Sequence, residues 1–485
     1  MTRLPSTVPA NSSDYRGPIL LNPGGPGGSG VDFVLGIGEW ISSVVGPQFD
    51  IIGFDPRGVA RSTPRVSFRG NAVERTFWQQ NAMSASPDTL ARAWARGKIN
   101  GQLAGERHAD ILPYINTAQT AADMLSIVRA HGKEKLLYWG FSYGSLLGST
   151  YAAMFPDKIE RLVIDGVLDM EDYYKTLWAT NLLDTDKTMN TFYATCHSAG
   201  PTQCAFYAPT PAQIAANLSS LYTTIRARPV PVRTALSYGL VDYTRLRLTL
   251  LTALCSPWAD WPTLAVALAD LARGNGTALY TMLEPPSVDS ECTCPSAPDE
   301  EFAVVDEAGI AVSCNDGDVV PEDFGELEEY FKNTLSTSEW AELWDVRTLC
   351  VGWPSVPKLF KGPFGANTTS FPLLIVGNTA DPLTPLWAAK KTAQDFSGAV
   401  VLTQDSPGHC SIAAPSVCTQ KYIREYFANG TLPPNGTVCS VPGSPFDEPE
   451  TLKSKSSTGV DAEDPLHDAV KNLSTLRRSP SLRLL

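Results

Sequence analysis

The sequence predicts an α/β fold in which a mostly parallel sheet carries helices on its faces and is interrupted by a large helical insertion. Three observations predict it. Short apolar runs alternate with helix-period stretches at both ends of the chain, glycine-dense loops follow several of those runs, and the long middle region holds no strand signal of comparable strength. The first run, Pro18 to Leu21, ends in the loop Asn22-Pro-Gly-Gly-Pro-Gly-Gly-Ser-Gly30. A second, Phe49 to Phe54, leads into Asp55-Pro-Arg-Gly58. Ala121, Leu125 and Val128 at helix spacing predict a helix over Thr117 to His131, with Gly132 as its stop. Then come a strand at Lys135 to Trp139, the turn Gly140-Phe-Ser-Tyr-Gly144, a helix of small residues through Phe155, and a buried strand at Arg161 to Asp165. Strand signals return only at Phe371 to Asn378 and Gly398 to Leu402, before a helix near Val417 to Phe427. The expected organisation is an irregular N-terminus over 1–16, a first core part over 17–168, a helical cap over 169–366, a second core part over 367–440, and a disordered tail over 441–485.

Composition narrows the function. The chain has 485 residues, 43% of them hydrophobic, which excludes a disordered protein and suffices for a large core. A formal charge of −13 supplies no positive field for phosphate backbones, so nucleic acid is excluded as a partner, and basic membrane-surface binding is disfavoured. No run approaches a membrane span; the apolar stretch Leu264 to Leu271 is short and carries Asp270. Ten cysteines accompany seven N-x-Ser/Thr acceptors, at Asn11, Asn217, Asn275, Asn367, Asn429, Asn435 and Asn472. Chance would give about 3 such acceptors, so an oxidising, secretory compartment and a glycosylated, disulfide-bonded protein are expected. Against this, the N-terminal residues contain no apolar stretch of signal-peptide length.

Gly140-Phe-Ser142-Tyr-Gly144 has the G-x-S-x-G pattern between a strand and a helix. Small flanking residues are what a serine on a sharp strand-to-helix turn requires, because helix and strand pass closely there. A hydroxyl needs a base and the base needs an orienting carboxylate, in the chain order Ser, acid, His for this architecture. Of the five histidines, His108 and His131 precede Ser142, His197 lies in the insertion and His467 in the tail, which leaves His409 directly after a strand. Asp381 follows the preceding strand; Asp405 and Asp395 compete but follow no strand end as cleanly. An oxyanion hole would take one amide from Tyr143 and one from the loop Asn22 to Gly30. That loop lacks the Lys of a phosphate-binding motif. Cys292-Thr-Cys294 is isolated and no histidine pair has ligand spacing, so neither a metal nor any other cofactor is expected.

Together the segments NPGGPGGSG, GFDPRGVARS, YWGFSYGSLLGSTYAAMFPDKIERLVIDGVLD, LLIVGNTADPLTP and GHCS resemble the tripeptidyl aminopeptidase and prolyl aminopeptidase group of α/β-hydrolases, over about Gly17 to Cys439. The resemblance implies an α/β-hydrolase fold and a serine exopeptidase that acts on peptides with a free N-terminus beneath a helical cap. By position it makes Ser142 the nucleophile, Asp381 the acid, His409 the base, and Gly25 and Tyr143 the oxyanion amides. Leu251 to Cys255, Ala311 to Asp316 and Cys350 to Trp353 resemble the cap of the tripeptidyl branch. Glu171, Asp172, Glu307 and Asp316 are the candidates for binding a substrate ammonium, with a solvated surface carboxylate the commoner reading of each. Trp258, Trp261, Trp340, Trp344 and Trp353 either line an apolar pocket or form cap core. Cys196 with Cys204 and Cys314 with Cys350 are the expected disulfides.

Two departures from the family pattern stand out. Ala60 occupies a position where relatives usually carry glycine. Relatives also have a signal segment and two strands ahead of the glycine-rich loop, whereas the residues before it here show no strand-like alternation, so the N-terminal strands are expected to be missing. The same triad cleaves esters, which makes a carboxylesterase the alternative, and an inactive or truncated binding-only homologue is the second.

Overall fold

Successive side chains of a strand point to opposite faces, so one apolar run can feed two cores. That is how the sheet is built. The computed structural model describes residues 1–71, 74–75, 78, 88–283, 306–344, 346–447 and 465–476. Its strands are β1 (Thr2–Leu4), β2 (Gly17–Asn22), β3 (Phe49–Gly53), β4 (Leu136–Phe141), β5 (Ile159–Asp165), β6 (Val230–Arg233), β7 (Tyr238–Val241), β8 (Leu374–Ala380), β9 (Val400–Pro407) and β10 (Val438–Ser440). Eight of them form one sheet in the order β1-β3-β2-β4-β5-β8-β9-β10, parallel throughout except for β1. The chain thus has the expected α/β-hydrolase architecture, an eight-stranded sheet covered by helices.

Leu137, Trp139, Val163, Leu374 and Val376 face helices Gly30–Val45 and Val417–Asn429. Their neighbours Leu136, Tyr138, Leu162, Ile164 and Ile375 face helices Thr117–Ala130 and Tyr143–Met154 on the other side. Between β5 and β8 the chain forms a separate apolar core around Phe192, Leu218, Leu250, Trp261 and Trp340, contributed mainly by helices Thr185–Gln203, Pro211–Ala227, Tyr243–Cys255 and Pro257–Ala272.

The structure corrects three expectations. The first sixteen residues are not wholly irregular: β1 pairs antiparallel with β3, and Asp50 anchors the segment by accepting from Ser6 N (2.7 Å) and Tyr15 Oη (2.8 Å). A three-residue strand is too short to show alternation. The tail is not wholly disordered either, because helix Pro465–Thr475 buries Leu466, Ala469, Val470 and Leu473 beside helix Gly30–Val45. Finally, the insertion is not purely helical and irregular, since β6 and β7 form an antiparallel hairpin.

Candidate active site

Ser142 sits between the end of β4 and the start of helix Tyr143–Met154, with φ +56° and ψ −123°. A non-glycine residue rarely holds such a positive φ without surrounding structure to impose it. That structure is close packing. A Cβ on Gly140 would lie 2.2 Å from the Gly144 carbonyl oxygen, and one on Gly24 2.5 Å from that of Phe141, so a larger residue at either position would push the turn apart. Ser142 N–H donates to the Asp165 carbonyl at 2.9 Å, tying the turn to β5.

Asp381 and His409 leave the ends of β8 and β9, the next strands across the sheet. Ligands gather at the carboxyl ends of strands in open parallel sheets, and these side chains meet there. His409 Nδ1 lies 2.9 and 3.0 Å from the two Asp381 oxygens. Asp381 is fully buried and also accepts from Leu383 N, Thr384 N, Thr384 Oγ1 and Cys410 N at 2.8–3.0 Å. Burial is the largest influence and pushes its pKa up, but the charge and hydrogen bond of His409 and these amides outweigh it, so the carboxyl stays below its ordinary value. His409 Nε2 is buried and has no hydrogen-bond partner. Its ring lies beside the end of β5, the strand to which the serine turn is tied, since a Cβ on Gly166 would lie 3.4 Å from His409 Cε1.

The histidine loop is braced by residues that the sequence analysis does not single out. Asn378 Nδ2 donates to the Gly408 and Cys410 carbonyls at 2.7 and 2.8 Å, and Gln404 Nε2 to the Ser411 carbonyl at 3.0 Å. Asp165 accepts from Ser411 N at 2.7 Å and Ser411 Oγ at 2.5 Å. Only a polar residue within an apolar strand run signals such a role in the sequence.

Gly25, at φ +110°, lines the same cavity as Ser142, and Tyr143 opens the helix behind the serine. An amide in the first turn has no partner within its helix and lies at the positive end of the helix dipole. Asp55 secures the glycine-rich loop by accepting from Ser29 Oγ (2.6 Å) and Val31 N (3.1 Å), while also accepting from Arg61 N (3.2 Å) in its own loop. In that loop Ala60 takes φ +41°, the left-handed region that suits the usual glycine.

The cavity, about 420 Å³, has Gly25, Ser142 and Thr384 on its core side, and Leu251, Ser313 and Trp344 from the segment between β5 and β8. None of the four carboxylates expected to bind an ammonium is on its wall. Glu171 is half exposed and pairs with Lys391 at 2.9 Å. Asp172 accepts from Thr180 N and Oγ1. Glu307 is fully buried against Arg69 at 3.2 Å, and Arg69 itself lines the cavity. Asp316 accepts from Thr117 N (2.8 Å), Thr117 Oγ1 (2.5 Å) and Tyr173 Oη (2.8 Å), and burial raises its pKa to about 6. Thr117 Oγ1 also meets Tyr143 Oη, so Asp316 belongs to a network beneath the serine turn. Among the described lining residues the one carboxylate is Asp306.

Of the expected tryptophans Trp344 is on the wall, together with Trp178 and Trp78, which were not singled out; Trp261 and Trp340 are fully buried in the insertion core. Disulfides join Cys196 to Cys204, Cys314 to Cys350, and Cys418 to Cys439; Cys292 and Cys294 lie outside the described residues.

A serine on a strand-to-helix elbow, on a parallel sheet whose strands β8 and β9 deliver an acid and a histidine, defines a class. Residues 17–272 match the α/β hydrolase fold family and residues 337–439 the TAP-like protein family. The chain belongs to the α/β hydrolase fold family, as a hydrolase of the serine type. It is similar to serine protease Hip1 of Mycobacterium tuberculosis, 27% identical over 452 residues that cover 90% of this chain and 83% of the other. Tripeptidyl aminopeptidase of Streptomyces lividans is 26% identical over 453 residues, covering 89% and 78%. Carboxylesterase B of Mycobacterium tuberculosis is 26% identical over 439 residues, covering 89% and 81%.

Proposed function

We propose that this protein is a serine exopeptidase that releases N-terminal residues or short peptides, including tripeptides, from peptides with a free N-terminus. The observation that carries the chemistry is the buried Asp381–His409 pair, whose Nε2 has no partner, at the same carboxyl end of the sheet as a serine held at positive φ on the cavity wall. Asp381 holds Nδ1 protonated, which leaves Nε2 to take the Ser142 hydroxyl proton. Ser142 Oγ then adds to the scissile carbonyl, and the Gly25 and Tyr143 amides stabilise the developing oxyanion. His409 passes the proton to the leaving amine, an acyl-enzyme forms, and water releases the N-terminal fragment by the same steps in reverse roles. No cofactor takes part.

The peptide reading draws support from the relatives named serine protease and tripeptidyl aminopeptidase. A cavity of about 420 Å³ accommodates a short segment of chain, and Asp306 lends its wall a carboxylate. The helical segment between β5 and β8 acts as the cap. All seven glycosylation acceptors are exposed, and three disulfides are formed, which supports a secretory-pathway protein. No helix among the described residues is long and apolar enough to cross a membrane.

The similarity to a carboxylesterase keeps ester hydrolysis as the second reading. Parallel assays of tripeptide amides with free and acylated N-termini, alongside short acyl esters, separate the two. Cleavage that disappears on acylation supports the exopeptidase; ester turnover alone, or indifference to acylation, overturns it.

A further inference from the structure

A second buried carboxylate stands next to the proposed triad and takes no part in the chemistry above. Asp165 ends β5 with no solvent exposure. Its backbone carbonyl accepts the Ser142 N–H at 2.9 Å. Its carboxylate accepts from Ser411 N at 2.7 Å, Ser411 Oγ at 2.5 Å and Trp139 Nε1 at 3.3 Å. One residue therefore grips the serine elbow through its main chain and the histidine loop through its side chain, two residues beyond His409. Ser411 is in turn contacted by Gln404 at its carbonyl and Gln420 at its hydroxyl, so the grip on that loop is stiff.

Three donors of this kind could be satisfied by a neutral acceptor, and a buried charge is costly. Burial raises the Asp165 pKa to about 6, against the pull of its hydrogen bonds. A charge kept at such a cost needs another use, and the geometry offers one. The titratable groups that face Asp165 are Asp381, the His409 that Asp381 holds, and Cys410, whose Sγ lies 3.4 Å from the Asp165 carbonyl; Trp139, Ser411 and Gln420 are neutral. When His409 takes the serine proton, the imidazolium forms beside one bonded carboxylate, Asp381, with a second, Asp165, bonded two residues along the same loop at Ser411.

We propose that Asp165 is a positioning residue that fixes the His409 loop relative to the Ser142 elbow and, in its ionised form, favours the imidazolium formed during attack. The proposal rests on Ser142 and His409 acting as nucleophile and base, and is independent of whether the substrate is a peptide or an ester. The nucleophile therefore reacts fastest while Asp165 is ionised, and its reactivity drops by a step when Asp165 takes a proton.

The test uses a fluorophosphonate, which labels an activated serine whatever the natural substrate, with the second-order labelling rate measured from pH 4.5 to 8.5. In the wild-type protein the rate falls by an extra step of about tenfold as pH drops through about 6, where Asp165 is neutralised. Asp165→Asn lowers the plateau by about tenfold or more, because the base is misaimed and its cation less favoured, and removes that step. On whichever substrate is turned over, the same variant loses kcat with KM unchanged. Ser411→Ala, which keeps the carboxylate and the backbone bond, slows labelling by less and retains the step. A wild-type profile without the step, or an Asp165→Asn protein with unchanged plateau and profile, overturns the proposal. The wild-type profile needs no variant to fold. Failure of the exopeptidase reading looks different: labelling of Ser142 persists while free peptides are left uncut. Absence of any labelling at Ser142 removes the triad and this proposal together.

Discussion

The sheet and the helical segment between β5 and β8 meet at one cavity but obey different constraints. On the sheet side nearly every atom near Ser142 is fixed by backbone contact: Gly24, Gly140 and Gly144 leave no room for a methyl group, and Asp381 is held by a histidine, a threonine hydroxyl and three amides. On the other side the wall is made of side chains such as Leu248, Leu251, Leu343 and Trp344, whose positions follow from helix packing. Rigid backbone geometry is what transition-state stabilisation needs, whereas an apolar wall needs only shape. Changes on the sheet side should therefore act on kcat, and those on the cap side on KM and stability.

The largest expected effect is that of Ser142→Ala, which should remove all turnover, a loss of at least about 10⁴-fold, while circular dichroism and melting stay wild-type. Measurable residual turnover by the purified variant would break the assignment. Asp381→Asn should lower kcat by about 10³ to 10⁴-fold with KM little changed, because the amide no longer enforces the Nδ1-protonated tautomer. Loss of the Cys314–Cys350 bridge by Cys314→Ser should lower stability by about 3–4 kcal/mol, read by chemical denaturation under oxidising conditions. Both cysteines line the cavity, so KM should rise in the same variant. Trp344→Ala should raise KM about tenfold, roughly 1.4 kcal/mol, with kcat within threefold; a kcat-only effect would erase the division between the two sides. The smallest effect is Ala60→Gly, which relieves the left-handed backbone in the second loop and should raise stability by about 0.5 kcal/mol, the methyl strain being partly offset by glycine's greater unfolded freedom.

Legibility in the sequence follows the same division. β2, β4, β5, β8 and β9 each carry a short apolar run, and G-x-S-x-G, Asp381 and His409 follow β4, β8 and β9, so chain order alone brings them to one edge. β1 has only three residues and emerges through its pairing with β3. Helix Pro465–Thr475 carries Leu466, Ala469, Val470 and Leu473 at helix spacing, a signal masked by the charged stretch before it. On the cap side, sequence names the residue types but not their partners. Whether a carboxylate faces a cavity, an arginine or a threonine depends on contacts between distant segments, as Glu307 with Arg69 and Asp316 with Thr117 show. The same limit hides Asp165, Asn378 and Gln404, polar residues of strand runs whose partners come from the histidine loop.

The central claim is that Ser142 carries the N-terminal part of a peptide as an acyl group. It is tested most directly by quenching the protein in acid during turnover of a slow tripeptidyl ester with a free N-terminus, then mapping the adduct by mass spectrometry. The account predicts a mass gain of one tripeptidyl group on the segment that contains Ser142, absent in Ser142→Ala and absent when the ester's N-terminus is acylated. An adduct on another residue, or equal acylation of Ser142 by free and blocked esters, would contradict it.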